Sequence, residues 1–326
     1  MTHQRTKTPL TRGEAFFRSM FLLLLFLSVM RVIDLLPEAN APIRPAVSAI
    51  TPSSTEEAEA MQALPLCPHF EPLSVRDIQT AITARGLDLR GDEPRILIYH
   101  THTTEAYTAT QASPYAKTSS YRTADASKSV LAVGEALAER LRTQYGFCVI
   151  HDTTDHEPPS LKTAYERSEK TMRSYLKRYP SLVLFIDIHR DASSDTSDYV
   201  ILDGIPVARL MCVVGQGTNY AEKPDYEENY ALACALTDNL RHVDERLARD
   251  VRVKTGRYNQ HVGELSLLIE VGHNANTLKQ ALHTIPYLAE SLALTLAERE
   301  VKLQIASGSP DPTSLLVPVG AGIDKG

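Results

Sequence analysis

Three short apolar runs limit this chain more than any other feature: Arg95-Ile-Leu-Ile-Tyr99, Leu182-Val-Leu-Phe-Ile-Asp-Ile188 and Leu265-Ser-Leu-Leu-Ile-Glu-Val271. Each is the length of a strand and apolar at nearly every position, so each reads as a strand buried on both faces. Segments with helical period lie between them. Asp125 to Arg142 places Val130, Val133, Leu137 and Leu141 on one side; Leu161 to Arg178 places Tyr165, Met172, Leu176 and Tyr179; Tyr226 to Arg249 places Tyr230, Ala233, Leu240, Val243 and Leu247. Phe147 to Ile150 adds a strand. Tyr199 to Leu202 and Val207 to Val214 read as a hairpin turning at Asp203-Gly204. A closing helix is expected from Pro286 to about Lys302, with proline in its first turn. Strands alternating with helices define an α/β fold, a mostly parallel sheet with helices on both faces. Ligands bind such sheets beyond the carboxyl ends of the strands.

All three runs lead there into residues able to bind a metal or move a proton. The first enters Tyr99-His100-Thr101-His102-Thr103-Thr104-Glu105, the second His189-Arg190-Asp191, and the third contains Glu270. Catalytic zinc takes three protein ligands, and imidazole and carboxylate suit it. Two histidines and one glutamate leave a net positive charge that acidifies water and polarises a carbonyl. A further carboxylate must then carry the proton to the leaving nitrogen. His102, Glu105 and His189 are the expected ligands and Glu270 the expected base and acid. The residues leave open whether His100 takes the place of His102 or stands behind it, orienting water or oxyanion. Arg190 is a further candidate for oxyanion stabilisation. Glu270, inside an apolar strand, must have a partner. If not a metal site, that partner is a salt bridge to Arg190 or Arg257. The remaining histidines, His151, His156, His242, His261, His273 and His283, read as structural or surface residues.

The flanks differ in character. Arg5, Lys7, Arg12 and Arg18 accompany an apolar stretch, Phe16 to Leu36, of 21 residues, about 31 Å as a helix and long enough to span a bilayer. The basic flank predicts a cytoplasmic N-terminus. A cleaved signal peptide, with Ala39-Asn40-Ala41 as its processing site, is the competing reading. Either way the rest of the chain is expected outside the cytoplasm. The expected organisation is a basic segment 1–15, a transmembrane anchor 16–36, a Pro/Ser/Thr/Glu-rich linker 37–93, a catalytic domain 94–305 and a Gly/Pro/Ser-rich tail 306–326. The four cysteines show no Cys-x-x-Cys spacing, which excludes a thiolate zinc site. A net charge of -6 excludes the strongly basic surface of a nucleic-acid binder.

Ile98-Tyr-His-Thr-His-Thr-Thr-Glu-Ala-Tyr107, Asp187-Ile-His-Arg-Asp-Ala192, Tyr258-Asn-Gln260 and Leu268-Ile-Glu-Val-Gly272 closely resemble the stage II sporulation protein P family over roughly residues 94–300. That family stands with the zinc-dependent N-acetylmuramoyl-L-alanine amidases of spore-forming bacteria. The resemblance implies an amidase domain of the phosphorylase/hydrolase-like type and a membrane-anchored enzyme. It implies peptidoglycan as substrate and cleavage between N-acetylmuramic acid and the L-alanine of the stem peptide. It also implies work at the engulfing septum beside stage II sporulation proteins D and M. A zinc endopeptidase acting within the stem peptide and an inactive wall-binding scaffold are the alternatives. His261 and His273 stand where the family pattern usually has an acidic residue and a glycine, so contacts of both with substrate or metal are left open.

Overall fold

The protein is described from a computed structural model over residues 89–192 and 198–306, with side chains through residue 298. The anchor at 16–36, most of the linker and the tail from 307 lie outside the described residues. Among the described residues no helix is long and apolar enough to cross a membrane.

The first strand, β1 (Ile96–Tyr99), leads through the loop bearing Glu105 to α1 (Val130–Tyr145) and β2 (Val149–His151). Next come α2 (Ala164–Arg178), β3 (Leu184–Asp191), and the paired strands β4 (Tyr199–Leu202) and β5 (Ile205–Ala208). The chain finishes with β6 (Leu210–Gly215), α3 (Tyr226–Val243), β7 (Arg252–Lys254), β8 (Leu265–His273) and α4 (Leu278–Ala306). Six strands form one sheet in the order β2-β1-β3-β8-β6-β7. All neighbours are parallel except β6 and β8.

Strand order fixes where a ligand can enter. The chain passes from β1 to β2 on one side, then crosses back to β3 on the other, so β1 and β3 flank the switch point. Helix α1 packs on the face that carries Ile96, Ile98, Leu184, Ile186, Ile188, Ile269 and Val271, together with α3 and α4. Helix α2 covers the opposite face through Met172, against Leu97, Tyr99, Ile150 and Phe185. Side chains alternate along a strand. Asp187 and His189 therefore share the α2 face, whereas His100 continues the Ile96–Ile98 series toward α1.

Three boundaries differ most from expectation. The arm read as Val207 to Val214 breaks at Arg209: β5 pairs with β4, and β6 joins the main sheet. Asp203 and Gly204 still turn the hairpin, with φ of 49° and 80°, as a two-residue loop of this hand requires. Helix α3 ends at Val243 rather than Arg249. Helix α4 begins at Leu278 and holds Pro286 in its interior. Burial of Leu278, Ala281, Leu282 and Ile285, all at 5% exposure or less, favours extending the helix by two turns and outweighs the lost hydrogen bond at the proline.

Candidate active site

The carboxyl ends of β1, β3 and β8 bring four of the expected residues into one buried group. His189 and Glu270 are directly paired across β3 and β8. His189 Nδ1 lies 3.3 Å from Glu105 Oε2, close to the spacing of two donors on a tetrahedron of bonds about 2.0–2.1 Å long. The rings of His102 and His189 have centroids 5.5 Å apart, edge to face.

Each imidazole also faces a second carboxylate. His189 Nε2 is 3.0 Å from Asp187 Oδ1, and His102 Nδ1 is 3.4 Å from Glu157 Oε1. Neither approach has hydrogen-bond alignment, so both nitrogens are buried without a hydrogen-bond partner, as is Glu270 Oε2. The carboxylates themselves are anchored. Asp187 accepts from Thr101 N (2.9 Å) and Thr101 Oγ1 (2.6 Å). Glu157 accepts from Thr104 Oγ1 and Arg122 Nη1. Arg122 Nη2 also reaches Glu105 Oε1 at 3.6 Å, tying the two glutamates together.

The electrostatics separate the carboxylates. Burial works to raise Glu105, but His189, Arg190 and His102 outweigh it and hold its pKa at about 2. Burial dominates at Glu270 and pushes it up to about 8; His189 pulls it down, while Glu105 and Asp191 push it further up. One carboxylate is thus fixed as an anion and the other is poised near neutrality, which is how acid and base roles are divided. Burial draws His189 down, yet Asp187 and Glu105 leave it well above its ordinary value.

Two expected participants are not brought into this group. His100 is fully buried on the α1 face, with Nδ1 on Ile188 O (3.0 Å) and Nε2 on His151 Nε2 (2.9 Å). Both ring nitrogens are engaged, so it offers nothing to a metal or substrate. Arg190 spends its guanidinium on the loop, with Nε on Ala106 O (3.1 Å) and Nη2 on Tyr121 O (3.0 Å). Its backbone N donates to Glu105 Oε2 at 3.2 Å. It therefore holds Glu105 and the loop in place rather than facing an oxyanion. Arg257 pairs with Glu169 at 2.8 Å. The salt bridge expected for Glu270 is thus made by neither arginine.

Sequence reasoning gave no role to the neighbours that shape the group, although Tyr258-Asn-Gln260 stands among the motifs shared with the family. Tyr165, in the first turn of α2, meets His102 edge-on (5.7 Å) and stacks on His189 (6.5 Å). Tyr258 meets Tyr165 at 5.6 Å. Burial and nearby carboxylates raise both phenols, so both remain donors. Tyr258 and Asn259 hold left-handed φ of 50° and 54°, a conformation uncommon outside glycine. Side chains on either side sustain it. Asn259 Nδ2 donates to Tyr165 O and Ser168 Oγ, and Gln260 bridges Gly215 N and Val213 O.

Three other features lie apart from the group. Glu169, Glu222 and His261 bring their donors within 4.8 Å of one another, closer as a set than His102, Glu105 and His189. Arg173 bonds both glutamates at 2.9 Å and Arg257 bonds Glu169, so that cluster's charge is already met. His273 is fully buried and accepts from Asp198 N. A cavity of about 290 Å³ is lined by Tyr107, Lys128 and Lys279 among others, and by none of the four grouped residues. For a divalent cation, the chemistry favours the strand-end group. It holds two imidazoles with carboxylates, and three buried polar atoms lack partners.

Fold and site together define an α/β domain with a buried imidazole–carboxylate cluster at its switch point. The profile of Stage II sporulation protein P (SpoIIP) matches residues 44–293, and the chain belongs to that family. Stage II sporulation protein P of Bacillus subtilis strain 168 is 27% identical over 231 residues, 67% of this chain and 55% of the relative. The chain therefore spans about half the length of that curated relative. Among solved structures it is similar to the CwlD amidase of Clostridioides difficile in complex with the GerS lipoprotein: 15% identity, 64% of this chain, 99% of that chain, TM-score 0.40. It is also similar to an N-acetylmuramoyl-L-alanine amidase of Clostridium difficile 630: 14% identity, 67% of this chain, 99% of that chain, TM-score 0.38.

Proposed function

We propose that this protein is a zinc-dependent peptidoglycan hydrolase that cleaves the amide between N-acetylmuramic acid and the L-alanine of the stem peptide. The observation that carries the reading is Glu270. It is a carboxyl raised to about 8, with a buried oxygen lacking any partner, paired across the sheet with His189. A structural carboxylate in such a place would have found a cation. His102, Glu105 and His189 would hold the zinc, which when bound supplies Lewis acidity toward the scissile carbonyl and acidifies water. Glu270 takes the proton released as water attacks and delivers it to the departing nitrogen of L-alanine. Tyr165, against His102 and His189, and Tyr258, against Tyr165, are both held protonated and are the proposed donors to the developing oxyanion.

Family membership supports a sporulation role; the apolar stretch 16–36 and its basic flank are what favour a membrane anchor with the catalytic domain outside the cytoplasm. Work at the engulfing septum beside stage II sporulation proteins D and M belongs to the same proposal. The test is Glu270→Gln in the full chain, assayed on purified sacculi with zinc content measured in parallel. The expected result is unchanged zinc with release of product reduced by about 10²-fold or more. Wild-type activity in that variant would overturn the assignment.

A further inference from the structure

A second buried chain of titratable groups lies on the opposite face of the sheet and takes no part in the chemistry above. Glu135 Oε2 meets His151 Nδ1 at 2.7 Å. His151 Nε2 meets His100 Nε2 at 2.9 Å, and His100 Nδ1 meets Ile188 O at 3.0 Å. A carbonyl only accepts, so His100 Nδ1 is a donor. With that ring neutral its Nε2 accepts, His151 donates from Nε2, and one proton lies between His151 Nδ1 and Glu135. The fold makes room for this arrangement. A Cβ on Gly134, inside α1, would stand 2.5 Å from His100 Nε2 and 2.8 Å from His151 Nε2. A helix-interior glycine costs about 1 kcal/mol relative to alanine, and only glycine lets α1 approach the two rings.

The chain ends where β1 and β3 part. Their pairing stops at Tyr99 and Asp187. One residue further on, the His100 ring replaces the missing backbone partner of Ile188 O. That carbonyl immediately precedes His189, and His100 stands two residues before His102.

We propose that Glu135, His151 and His100 form a positioning relay. It fixes the separation of the ends of β1 and β3, and with it the placing of His102 and His189. The proposal rests on the reading that those two residues hold the metal. The test compares the full chain with His151→Gln and His151→Leu, with zinc affinity measured by competition with a chelating dye. Glutamine can still donate toward His100 Nε2, whereas leucine only fills the space. If His151 were packing alone, leucine would serve at least as well as glutamine. The relay predicts the reverse order: glutamine within about threefold of wild type, leucine weaker by about tenfold or more, the range seen when partners of metal ligands are removed. Equal zinc affinity in leucine and wild type, or leucine tighter than glutamine, overturns the relay. A wild type that binds no zinc overturns the metal reading instead. The relay is then read by ¹⁵N imidazole shifts of the metal-free protein. They should show His100 protonated at Nδ1 and bare at Nε2 in all three proteins, with the Nε2 resonance displaced by an accepted hydrogen bond in wild type and glutamine variant and not in the leucine variant. Any other tautomer in wild type overturns it.

Discussion

Glutamine at position 270 should make the metal-free protein more stable while it removes activity. The carboxyl is pushed from an ordinary 4.5 to about 8, mainly by burial. A pKa raised on folding means that the native state keeps a proton the unfolded chain has lost. The resulting penalty is absent well below 4.5, grows as pH rises toward 8, and is complete above it. The full shift, 8 − 4.5 = 3.5 units, corresponds to about 5 kcal/mol at 1.36 kcal/mol per unit, an upper bound because the residue opens partly to the crevice. Between about pH 5 and about pH 9 the change amounts to roughly 4 kcal/mol. Glutamine stays neutral, and titrating groups remote from position 270 cancel in the comparison, while His189, Glu105 and Asp191, which interact with Glu270, contribute to the difference. Urea unfolding in a chelator should therefore show a small difference near the lower pH and a gap of several kcal/mol in favour of Glu270→Gln near the upper. If the gap is the same at both ends, Glu270 is not a strained, unpaired carboxylate, and the argument from its burial fails.

Other perturbations test neighbouring parts. Gly134→Ala drives a methyl into both histidine rings, and should cost about 1–3 kcal/mol or more by overpacking, read by urea unfolding. Arg190→Met leaves Ala106 O and Tyr121 O without their donor and removes one of the cations facing Glu105, Arg122 remaining; a loss of about 3 kcal/mol is expected in the same assay. His189 is raised well above its ordinary value by Asp187 and Glu105 after burial is overcome, so it carries a proton that zinc must displace. Calorimetric titration should show affinity falling as pH falls, with release of about one proton per zinc near neutrality.

The site was legible wherever a strand carried it. Glu270 and His189 announce themselves as polar residues at the ends of apolar runs, and strand register then sets them side by side. The exclusion of His100 was legible too. Ile96, Ile98 and His100 alternate onto one face, opposite to Asp187 and His189, and only the parity had to be counted. Arg190 was less legible, because the register of β3 shifts between His189 and Asp191 and the alternation cannot be counted through it. Glu157, Arg122 and Tyr165 were not legible, because each reaches the group from a loop or a helix start through contacts that no local period encodes. Helix α4 was misjudged at its start, since a proline outweighs burial in local sequence but not in a packed core. Strand β7 is three residues long and exposed, too short to show an alternation.

The central claim concerns which bond is cut, and one measurement addresses it directly: mass spectrometry of the fragments released from purified sacculi by the zinc-loaded full chain. The account predicts intact stem peptides beginning with a free L-alanine amine, and glycan strands whose muramic acid keeps a bare lactoyl carboxylate. Peptides cut internally, with L-alanine still attached to the sugar, would contradict it.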